Sequence, residues 1–506
     1  MNYPFWDVAI GYGWLMAGIA IIHVFVSHFA IGGGLYLVVA ETFARKNKDE
    51  LKLTYLQGLS KFFVLTTLVF GALTGVGIWF IIGLLNPTAT EMLIHNFVWG
   101  WATEWTFFVI EILAAIIYLY GWKTMSAANH IKIGWIYFFA AWMSLFVING
   151  ILSFMLTPGE WRVTGDFWDG FFNPTFWSSL TLRTGICIML GGLYAILVAS
   201  RQPDKDFKGR LVAYNAVWAI IGIVIVVPCL FWYWHSIPAE VTNVALESMP
   251  MPMLSWWWVY VSGIVLFLLI VLFGFLARRQ ANLVFAIVLL AVALVAFGSW
   301  EWFRESIRKP WIISGYMWGN GTELALADDY QSRSLLHFVK FRTGDDGKDL
   351  FLHSCRSCHT IDGYKPLRPA FDGTDQEFIA RMVIGTHVMK GNMPPYLGPE
   401  KDASLLASHI YKQLDHRHLA EIYGLAGVDL GAKVYDIRCG KCHEFGGFND
   451  KSESLLGLTD EDYNDLLDMA GDFAWEMPDF TGDEQERSAL IEFLKLKSQE
   501  QVEGGR

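Results

Sequence analysis

Long apolar runs fill the first 303 positions of the chain, and eight of them are long enough to cross the ~30 Å hydrocarbon core of a bilayer. They lie at 13–41, 57–85, 92–121, 131–156, 178–199, 211–235, 254–277 and 282–303. Each run predicts one membrane-spanning helix, and we call these helices the first to eighth spans. From about position 344 the chain becomes polar and acidic, which predicts a soluble tail.

Basic residues are confined to every second loop between the spans. The loops after the second, fourth and sixth spans carry only Arg162. The loops after the first, third, fifth and seventh spans carry Arg45, Lys46, Lys48, Lys52, Lys123, Arg201, Lys205, Lys208, Arg210, Arg278 and Arg279. Because basic loops stay in the cytoplasm, both the N-terminus and the tail are expected on the outer face of the membrane.

Composition and charge agree with this division. A mean hydropathy of +0.36 and 54% apolar residues exceed the values of an ordinary soluble protein. Residues 1–320 hold 18 Lys/Arg and 16 Asp/Glu, a net charge of +2, whereas residues 321–506 hold 20 and 33, a net charge of −13. The acidic tail excludes nucleic acid as a partner, since a phosphate backbone requires a basic surface. It favours docking of a basic protein.

Two Cys-x-x-Cys-His motifs stand in the tail as parts of an internal repeat. Gly347, Cys355, Cys358, His359 and the Met393-Pro pair recur 84 positions later as Gly431, Cys439, Cys442, His443 and the Met477-Pro pair. Such motifs predict covalent attachment of two c-type haems, and the other two cysteines, Cys187 and Cys229, are expected to be buried inert thiols. Covalent haem attachment occurs outside the cytoplasm, in agreement with the charge of the loops.

Each motif supplies a complete set of iron ligands. His359 and His443 are expected as the proximal ligands, and Met393 and Met477 as the distal ones, since a thioether favours Fe(II) and raises the reduction potential. His387 and Met389 remain alternatives for the first distal ligand, and Met469 for the second. The two modules resemble small class I cytochromes c.

Ionisable residues inside the spans are functional candidates, because burying them in a bilayer is costly. The first span carries His23 and His28, which point in different directions. The third span carries Glu104 and Glu111 on one face, seven residues apart. Alternatives stay open: either histidine could make a structural hydrogen bond between helices, and Arg308 could extend to the interface as a helix-end cation.

Several short motifs are spread over the spans in a fixed order. They are Ala20-Ile-Ile-His23 with Ala40-Glu-Thr42, Gly71-Ala-Leu-Thr-Gly75, Glu104 with Glu111 and Gly121-Trp122, Asn149-Gly150 with Thr157-Pro158, and Glu305-x-x-Arg308-x-Pro310-Trp311. On these motifs, residues 10–315 resemble subunit I of the cytochrome bd oxidases in a short form.

The resemblance implies roles for single residues. His23 would ligate one high-spin haem and Glu305 another, while Arg308 would hold haem propionates and Trp311 would lie at the same cofactor. Glu104 would lie on the distal side of the His23 haem, and Glu111 would continue a proton path from it. The porphyrins could be b and b or b and d.

Two departures from the family pattern concern a third haem and the donor. Where the family has a histidine ligand for a low-spin haem b, this chain has Arg183, and the seventh span has no methionine in its first turns; Met251 and Met253 precede it. The connection at 236–253 is also too short for the family's quinol-binding loop. We therefore expect neither a low-spin haem b nor a quinol site in this subunit.

The sequence thus predicts an all-α protein with a polytopic membrane helical bundle and two small all-α cytochrome c domains. The expected division is a bundle at 1–312, a linker at 313–343, modules at 344–422 and 423–498, and a tail end at 499–506. The expected location is a bacterial inner membrane, with both termini periplasmic. A second membrane subunit related to subunit II of the bd family and a basic periplasmic cytochrome c are the expected partners, besides membrane lipid.

Three functions are compatible with this organisation. The first is a terminal oxidase that takes electrons through the two c haems to a high-spin haem pair and reduces O2 to water. The second is a nitric oxide reductase with the same site. The third is a non-catalytic subunit that carries electrons between a quinol-oxidising partner and periplasmic cytochromes.

Overall fold

The structure, a computed structural model, describes residues 6–242, 251–474 and 476–504, and among them the side chains of all but 251–253 and 501–504. Eight helices are long and apolar enough to cross a membrane, as predicted. Their bounds are Tyr12–Lys46, Glu50–Leu85, Val98–Gly121, Ala127–Phe154, Phe176–Ala199, Lys205–Ser236, Leu254–Leu276 and Leu283–Arg308. The expected fold class, an all-α membrane bundle, is confirmed.

The helix ends differ from the apolar runs mainly on the basic side of the bundle. The first span continues through Arg45 and Lys46, and the sixth begins already at Lys205. Long basic side chains can extend from such ends to the interface while the backbone stays helical. The run at 92–121 is broken at Phe97 into a short helix, Pro87–Asn96, and the third span.

The fifth span lies in the centre of the bundle and is the most buried of the eight. Glycines allow the neighbouring helices to approach its backbone closely. A Cβ on Gly32 of the first span would overlap the carbonyl of Cys187, and a Cβ on Gly222 of the sixth would overlap Met189. Small residues at helix crossings are typical of membrane bundles, in which van der Waals packing replaces the hydrophobic effect.

A short folded segment follows the eighth span. Two antiparallel strands, Trp311–Ile313 and Met317–Trp318, place Ile313 and Met317 in the core of the bundle. A helix at Ala327–Arg333 leads on to the tail. The residues expected to form a linker therefore have regular structure and pack on the bundle.

The tail consists of short helices around two separate buried clusters, one within 330–414 and one within 419–494. These clusters support the proposed division into two modules. The helices are Asp346–Ser354, Arg368–Phe371, Gln376–Ile384, Glu400–Tyr411, Leu419–Tyr423, Gly427–Arg438, Ser452–Leu455, Asp460–Asp468, Ala470–Phe473 and Glu484–Gly504.

The sequence repeat is also a repeat of contacts. In each module the helix before the cysteines crosses the last helix at a glycine: a Cβ on Gly347 would lie 2.5 Å from the carbonyl oxygen of Leu405, and one on Gly431 would overlap that of Ala489. Leu405 and Ala489 are again 84 positions apart. The glycines therefore allow the closest approach of the two helices that frame each module.

In each module a buried carboxylate accepts a hydrogen bond from the backbone of the segment that enters the module. Asp402 accepts a hydrogen bond from the backbone N–H of Leu335 at 2.8 Å, and Glu486 accepts one from that of Leu419 at 2.9 Å. Both carboxylates are fully buried, and both pairs are related by the 84-residue offset. The repeat therefore begins before the cysteine motifs and includes the segments that enter each module.

Candidate functional site

His23 presents one ring nitrogen for a ligand. Its Nδ1 lies 3.2 Å from the carbonyl oxygen of Gly71 and 3.1 Å from the hydroxyl of Thr74. Because a carbonyl oxygen only accepts, Nδ1 carries the proton and Nε2 keeps its lone pair. A Cβ on Gly75 would lie 3.0 Å from His23 Cε1, so the glycine leaves room for the ring.

Glu305 lies at the outer end of the eighth span, between two cations. One carboxylate oxygen pairs with Arg308, and the other lies 2.9 Å from Lys309 Nζ. The Glu305 side chain is 42% exposed, whereas that of Arg308 is 4% exposed. A carboxylate has about four lone-pair sites, so two ion pairs leave capacity for a metal.

Arg308 and Lys309 determine the charge around Glu305 at the outer end of the eighth span. Arg308 donates Nη1 to the carbonyl of Ile312 at 2.9 Å, and its buried Nε has no hydrogen-bond partner among the described residues. Burial alone would lower the pKa of Lys309, but the Glu305 carboxylate outweighs it and raises the pKa. Lys309 is therefore charged at neutral pH, and together with the guanidinium of Arg308 it favours an anionic group such as a propionate. One face of the Trp311 ring, expected at the same cofactor, is covered by Trp318, with ring centroids 3.3 Å apart.

The two motif histidines of the tail are oriented identically. Nδ1 of His359 lies 2.9 Å from the carbonyl oxygen of Lys365, and Nδ1 of His443 lies 3.0 Å from that of Asn449. In both modules the acceptor is six residues after the histidine. The carbonyl fixes the tautomer, so Nε2 of each ring is available to a metal.

The cysteines and methionines of the two motifs are all half-buried. None of the six cysteines forms a disulfide, and burial raises the pKa of the Cys355 and Cys439 thiols to about 12. Met393 and Cys355 both pack against the buried core of the first module.

The alternative distal ligands differ in their surroundings. Met389 is buried in the core of the first module, and His387 lies 3.6 Å from the carboxylate of Glu476. Met469 is 46% exposed, whereas Met477 is half-buried. The assignment of Met393 and Met477 stays a prediction.

The first module docks on the bundle through the loop that contains its Cys-x-x-Cys-His motif. Arg356, between the two cysteines, pairs with Asp7 and donates to the carbonyl of Val8. A Cβ on Gly363 would overlap the carbonyl of Ala9, and Asn392 donates to the carbonyl of Lys309 at 3.2 Å. The module therefore lies at the N-terminal end of the first span, opposite to the basic loops.

Aromatic rings connect this loop to the eighth span. Trp14 lies between Tyr364 and Trp302, with ring centroids 6.1 Å and 6.4 Å away. Trp302 is three residues before Glu305 on the same helix. The segment around His359 is thus joined by direct contacts to the end of the bundle that carries Glu305.

The second module contacts the first near its own cysteines. Cys442 packs against the buried cluster of the first module. The N–H of Lys390 donates to the carbonyl of Lys441 at 2.7 Å, and the Lys390 side chain pairs with Glu444. The cysteine motif of the second module therefore faces the segment of the first module that leads to Met393.

The two acidic residues of the third span have hydroxyl partners on the fourth. Ser144 donates to Glu104 at 2.8 Å, and Tyr137 donates to Glu111 at 2.9 Å. Glu111 is 9% exposed, and Glu104 is half-buried. The structure brings both carboxyls to one helix interface.

A buried ion pair lies at Arg183, the position where the sequence predicts the loss of a ligand for the low-spin haem b. Arg183, 3% exposed, lies 3.0 Å from Glu301, which also lies 2.9 Å from Arg304. A guanidinium offers no lone pair and cannot ligate iron. His28 is buried nearby: its Nδ1 donates to the carbonyl of Val24 at 2.7 Å, and its Nε2 has no partner among the described residues. The side chains of Met251 and Met253 lie outside the described part of the chain.

Two groups of residues were missed by sequence reasoning. The first is the docking contact at Arg356 and Tyr364, which depends on a distant segment. The second is a buried cluster of Glu41, Tyr118 and His130 at the other end of the bundle. Its signal was present, because Tyr118 continues the seven-residue spacing of Glu104 and Glu111.

The residues present fit haem groups at four places. His23, His359 and His443 each have Nδ1 engaged by a carbonyl and Nε2 available, which is the donor arrangement that iron requires. Glu305 offers a carboxylate next to Arg308, whose buried Nε has no hydrogen-bond partner within the described part of the chain. When bound, haem supplies electron transfer and, with an open iron position, gas binding.

Part of the bundle is similar to a known protein family. Residues 13–236 match a family model described as cytochrome bd terminal oxidase subunit I. The matched segment includes His23, Glu104 and Glu111 and ends before Glu305. Together with the eight apolar helices, this match identifies a multi-pass membrane protein.

A solved structure shares the fold. A chain of the bd oxidase from Geobacillus thermodenitrificans superposes with a TM-score of 0.53 at 16% sequence identity, covering 60% of this chain and 88% of that chain. No curated protein sequence matches the chain.

Proposed function

We propose that the protein is a membrane-bound, haem-containing terminal oxidase of the cytochrome bd type that receives electrons through two periplasmic c haems and reduces O2 to water. Two non-covalent high-spin haems, b and b or b and d, would be held by His23 and Glu305. Two covalent haems would be held by the Cys-x-x-Cys-His motifs. The match of residues 13–236 to the family model supports the oxidase part of the proposal.

One observation carries the cytochrome-fed part: the first module contacts the bundle through the loop that would hold its haem. Arg356 and Tyr364 lie in this loop, and both contact the start of the first span. The second module contacts the first through Cys442. The order of contacts supports electron entry at the second module, passage to the first, and delivery at the end of the bundle that carries Glu305.

The buried ion pair at Arg183 supports the loss of the low-spin haem b. Arg183 stands where the family resemblance implies a histidine ligand, and it pairs with Glu301, which also pairs with Arg304. A chain without this haem needs another route for electrons, and the tail provides one. Arg308 and Lys309 would hold propionates at the junction.

Protons for the reduction would pass along the interface of the third and fourth spans. Glu111 and Glu104 each have a hydroxyl partner there, and carboxyls inside a membrane typically serve proton relays. A second membrane subunit is proposed to cover the exposed apolar faces of the bundle. The net charge of −13 on residues 321–506 favours a basic cytochrome c as donor.

Gas uptake by the purified, donor-reduced complex tests the proposal. We expect O2 consumption, a CO-induced spectral change in the non-covalent haems, and little NO consumption. Faster turnover of NO than of O2 would make the protein a nitric oxide reductase. The absence of a CO-binding haem would favour an electron-carrying subunit without catalysis.

A further inference from the structure

A column of paired polar side chains runs between the third and fourth spans, and it ends at a cluster that the proposed function does not use. Its members on the third span follow each other at seven-residue intervals: Glu104, Glu111 and Tyr118. Those on the fourth span do the same in the opposite direction: Ser144, Tyr137 and His130. Seven residues make about two helical turns, or ~10.5 Å, so the three pairs cover ~21 Å of the bundle.

The last pair lies near the basic end of the bundle and differs from the other two. The rings of Tyr118 and His130 stack with centroids 4.2 Å apart, and His130 Nε2 lies 2.8 Å from the carbonyl oxygen of Tyr118. Glu41 of the first span joins this pair. Both Glu41 and His130 have no exposed surface.

Glu41 receives hydrogen bonds from three helices. The hydroxyl of Tyr118 donates to it at 2.7 Å, and Nε of Arg45 at 2.6 Å. Nδ1 of His130 lies 2.8 Å and 2.9 Å from its two oxygens. We call Glu41, Arg45, Tyr118 and His130 the basal cluster.

The geometry of His130 requires a shared proton in the basal cluster. Its Nε2 faces a carbonyl oxygen, which only accepts, so Nε2 carries a hydrogen. The hydrogen bond between Nδ1 and Glu41 then needs one further proton. This proton lies either on Nδ1, which makes His130 an imidazolium beside a carboxylate, or on Glu41, which makes it a neutral carboxyl beside a neutral imidazole. A proton that can occupy either partner of a short hydrogen bond is suited to transfer.

The basal cluster also reaches the surface. The Arg45 side chain is 25% exposed, and it ends the first span beside Lys46. The loops that follow the first and third spans carry the basic residues that indicate the cytoplasmic face. The tail lies at the opposite end, where Arg356 contacts Asp7.

We infer that the Glu41–His130 pair is the cytoplasmic entrance through which protons reach Glu111 and then Glu104. This inference rests on the proposed function, in which each electron delivered to O2 from the tail is matched by one proton from the other side of the membrane. His130 and Glu41 exchange the shared proton, and Tyr118 orients the carboxylate. Successive pairs of the column are ~10 Å apart, which is too far for a direct hydrogen bond. Ordered water therefore bridges the gap from the basal cluster to Glu111 and the gap from Glu111 to Glu104.

Substitutions that keep the shape of the basal cluster test the entrance. Glu41→Gln and His130→Gln remove the exchangeable proton, while Glu41→Asp keeps a carboxyl. The control for Tyr118→Phe is Tyr120→Phe, because Tyr120 is an exposed tyrosine on the same helix. The control for Glu41→Gln is Glu50→Gln, because Glu50 is an exposed glutamate near the same end of the bundle. Each variant is purified as the complete complex and placed in phosphatidylethanolamine and phosphatidylglycerol vesicles.

Reduced cytochrome c added outside selects the molecules whose tail faces outward, because a protein donor cannot cross the bilayer. O2 uptake per haem and the steady-state reduction of the c haems are recorded at different interior pH values. In Glu41→Gln and His130→Gln we expect uptake to fall at least ~10-fold, as for loss of a proton-transfer group, with the c haems more reduced. Glu41→Asp should recover part of the rate, and the two control variants should match the unmodified protein.

The outcomes separate this inference from the proposed function. Unchanged uptake per haem with unchanged c-haem reduction in both glutamine variants overturns the entrance. Loss of haem with a normal rate per remaining haem also overturns it, and leaves the basal cluster a structural ion pair among Arg45, His130, Tyr118 and Glu41. A wild-type complex that consumes no O2 overturns the proposed function itself, and with it the inference.

Discussion

Trp14 of the first span contacts Tyr364 of the first tail module edge to face, with ring centroids 6.1 Å apart. The two residues are 350 positions apart in sequence, and the contact joins the membrane bundle to the segment that follows a Cys-x-x-Cys-His motif. Glycines make it possible, because a Cβ on Gly11 or Gly13 would meet the Tyr364 side chain. The tail therefore contacts the bundle through the segment that follows its first Cys-x-x-Cys-His motif.

Arg356→Gln should weaken this docking. Its guanidinium is 4% exposed and pairs with Asp7, and a hydrogen bond to a charged group contributes about 2 kcal/mol. We expect O2 uptake with reduced cytochrome c to fall several-fold while the c-haem content stays constant. Arg368→Gln is the matched control, because Arg368 is more exposed and pairs with Asp362 within the module. Equal rates in the two variants would contradict a docking role for Arg356.

Glu111→Gln should slow turnover without loss of haem. The amide keeps the hydrogen bond of Tyr137, which is 2.9 Å from the carboxylate, but cannot transfer a proton. A fall of ~10-fold or more in O2 uptake per haem is expected. Glu160→Gln, at an exposed position between the fourth and fifth spans, is the control. Unchanged turnover would remove Glu111 from the proton path.

The spans were predictable because each needs about 20 apolar residues, and few soluble helices have so many. Their ends were not, since residues such as Arg45 and Lys205 continue a helix beyond the apolar run. The folded segment after Trp311 was interpreted as a linker, because glycine-rich aromatic sequence is also typical of loops. Its strands depend on packing of Ile313 and Met317 into the bundle.

The site was predictable where spacing carries the chemistry. The 84-residue offset places His359 and His443 in matching sequence contexts, and the structure places both rings in the same orientation. Contacts between distant segments leave no such pattern. Arg356 and Asp7 are 349 positions apart, and no sequence pattern connects them. The seven-residue spacing indicates Tyr118, but its partners Glu41 and His130 lie on other helices and are set by how these helices pack.

Met393→Leu and Met389→Leu should behave differently. Met393 belongs to the repeated Met-Pro pair and is half-buried at the edge of the first module's core, whereas Met389 is buried in that core as an apolar side chain. Loss of a thioether ligand should lower the reduction potential of the first c haem and open its iron to CO. Redox titration with a CO spectrum checks this. The opposite result, with the change in Met389→Leu alone, would make Met389 the ligand.

Haem analysis should give two covalent and two non-covalent haems per chain. Arg183 occupies the position of a third non-covalent haem's ligand, and its guanidinium is held 3.0 Å from Glu301. Pyridine haemochrome spectra before and after acid–acetone extraction measure both kinds. A third non-covalent haem in the chain would contradict the loss of the low-spin site, and it would make His28 a candidate ligand, since its Nε2 has no hydrogen-bond partner among the residues that the structure describes.

The central claim is that electrons reach the bundle through the tail, and reoxidation of the c haems tests it most directly. The fully reduced complex is mixed with O2 in a stopped-flow instrument, and the c-haem absorbance is followed in time. We predict that both c haems are reoxidised at least as fast as the complex turns over. C haems that stay reduced while O2 is consumed would contradict the account.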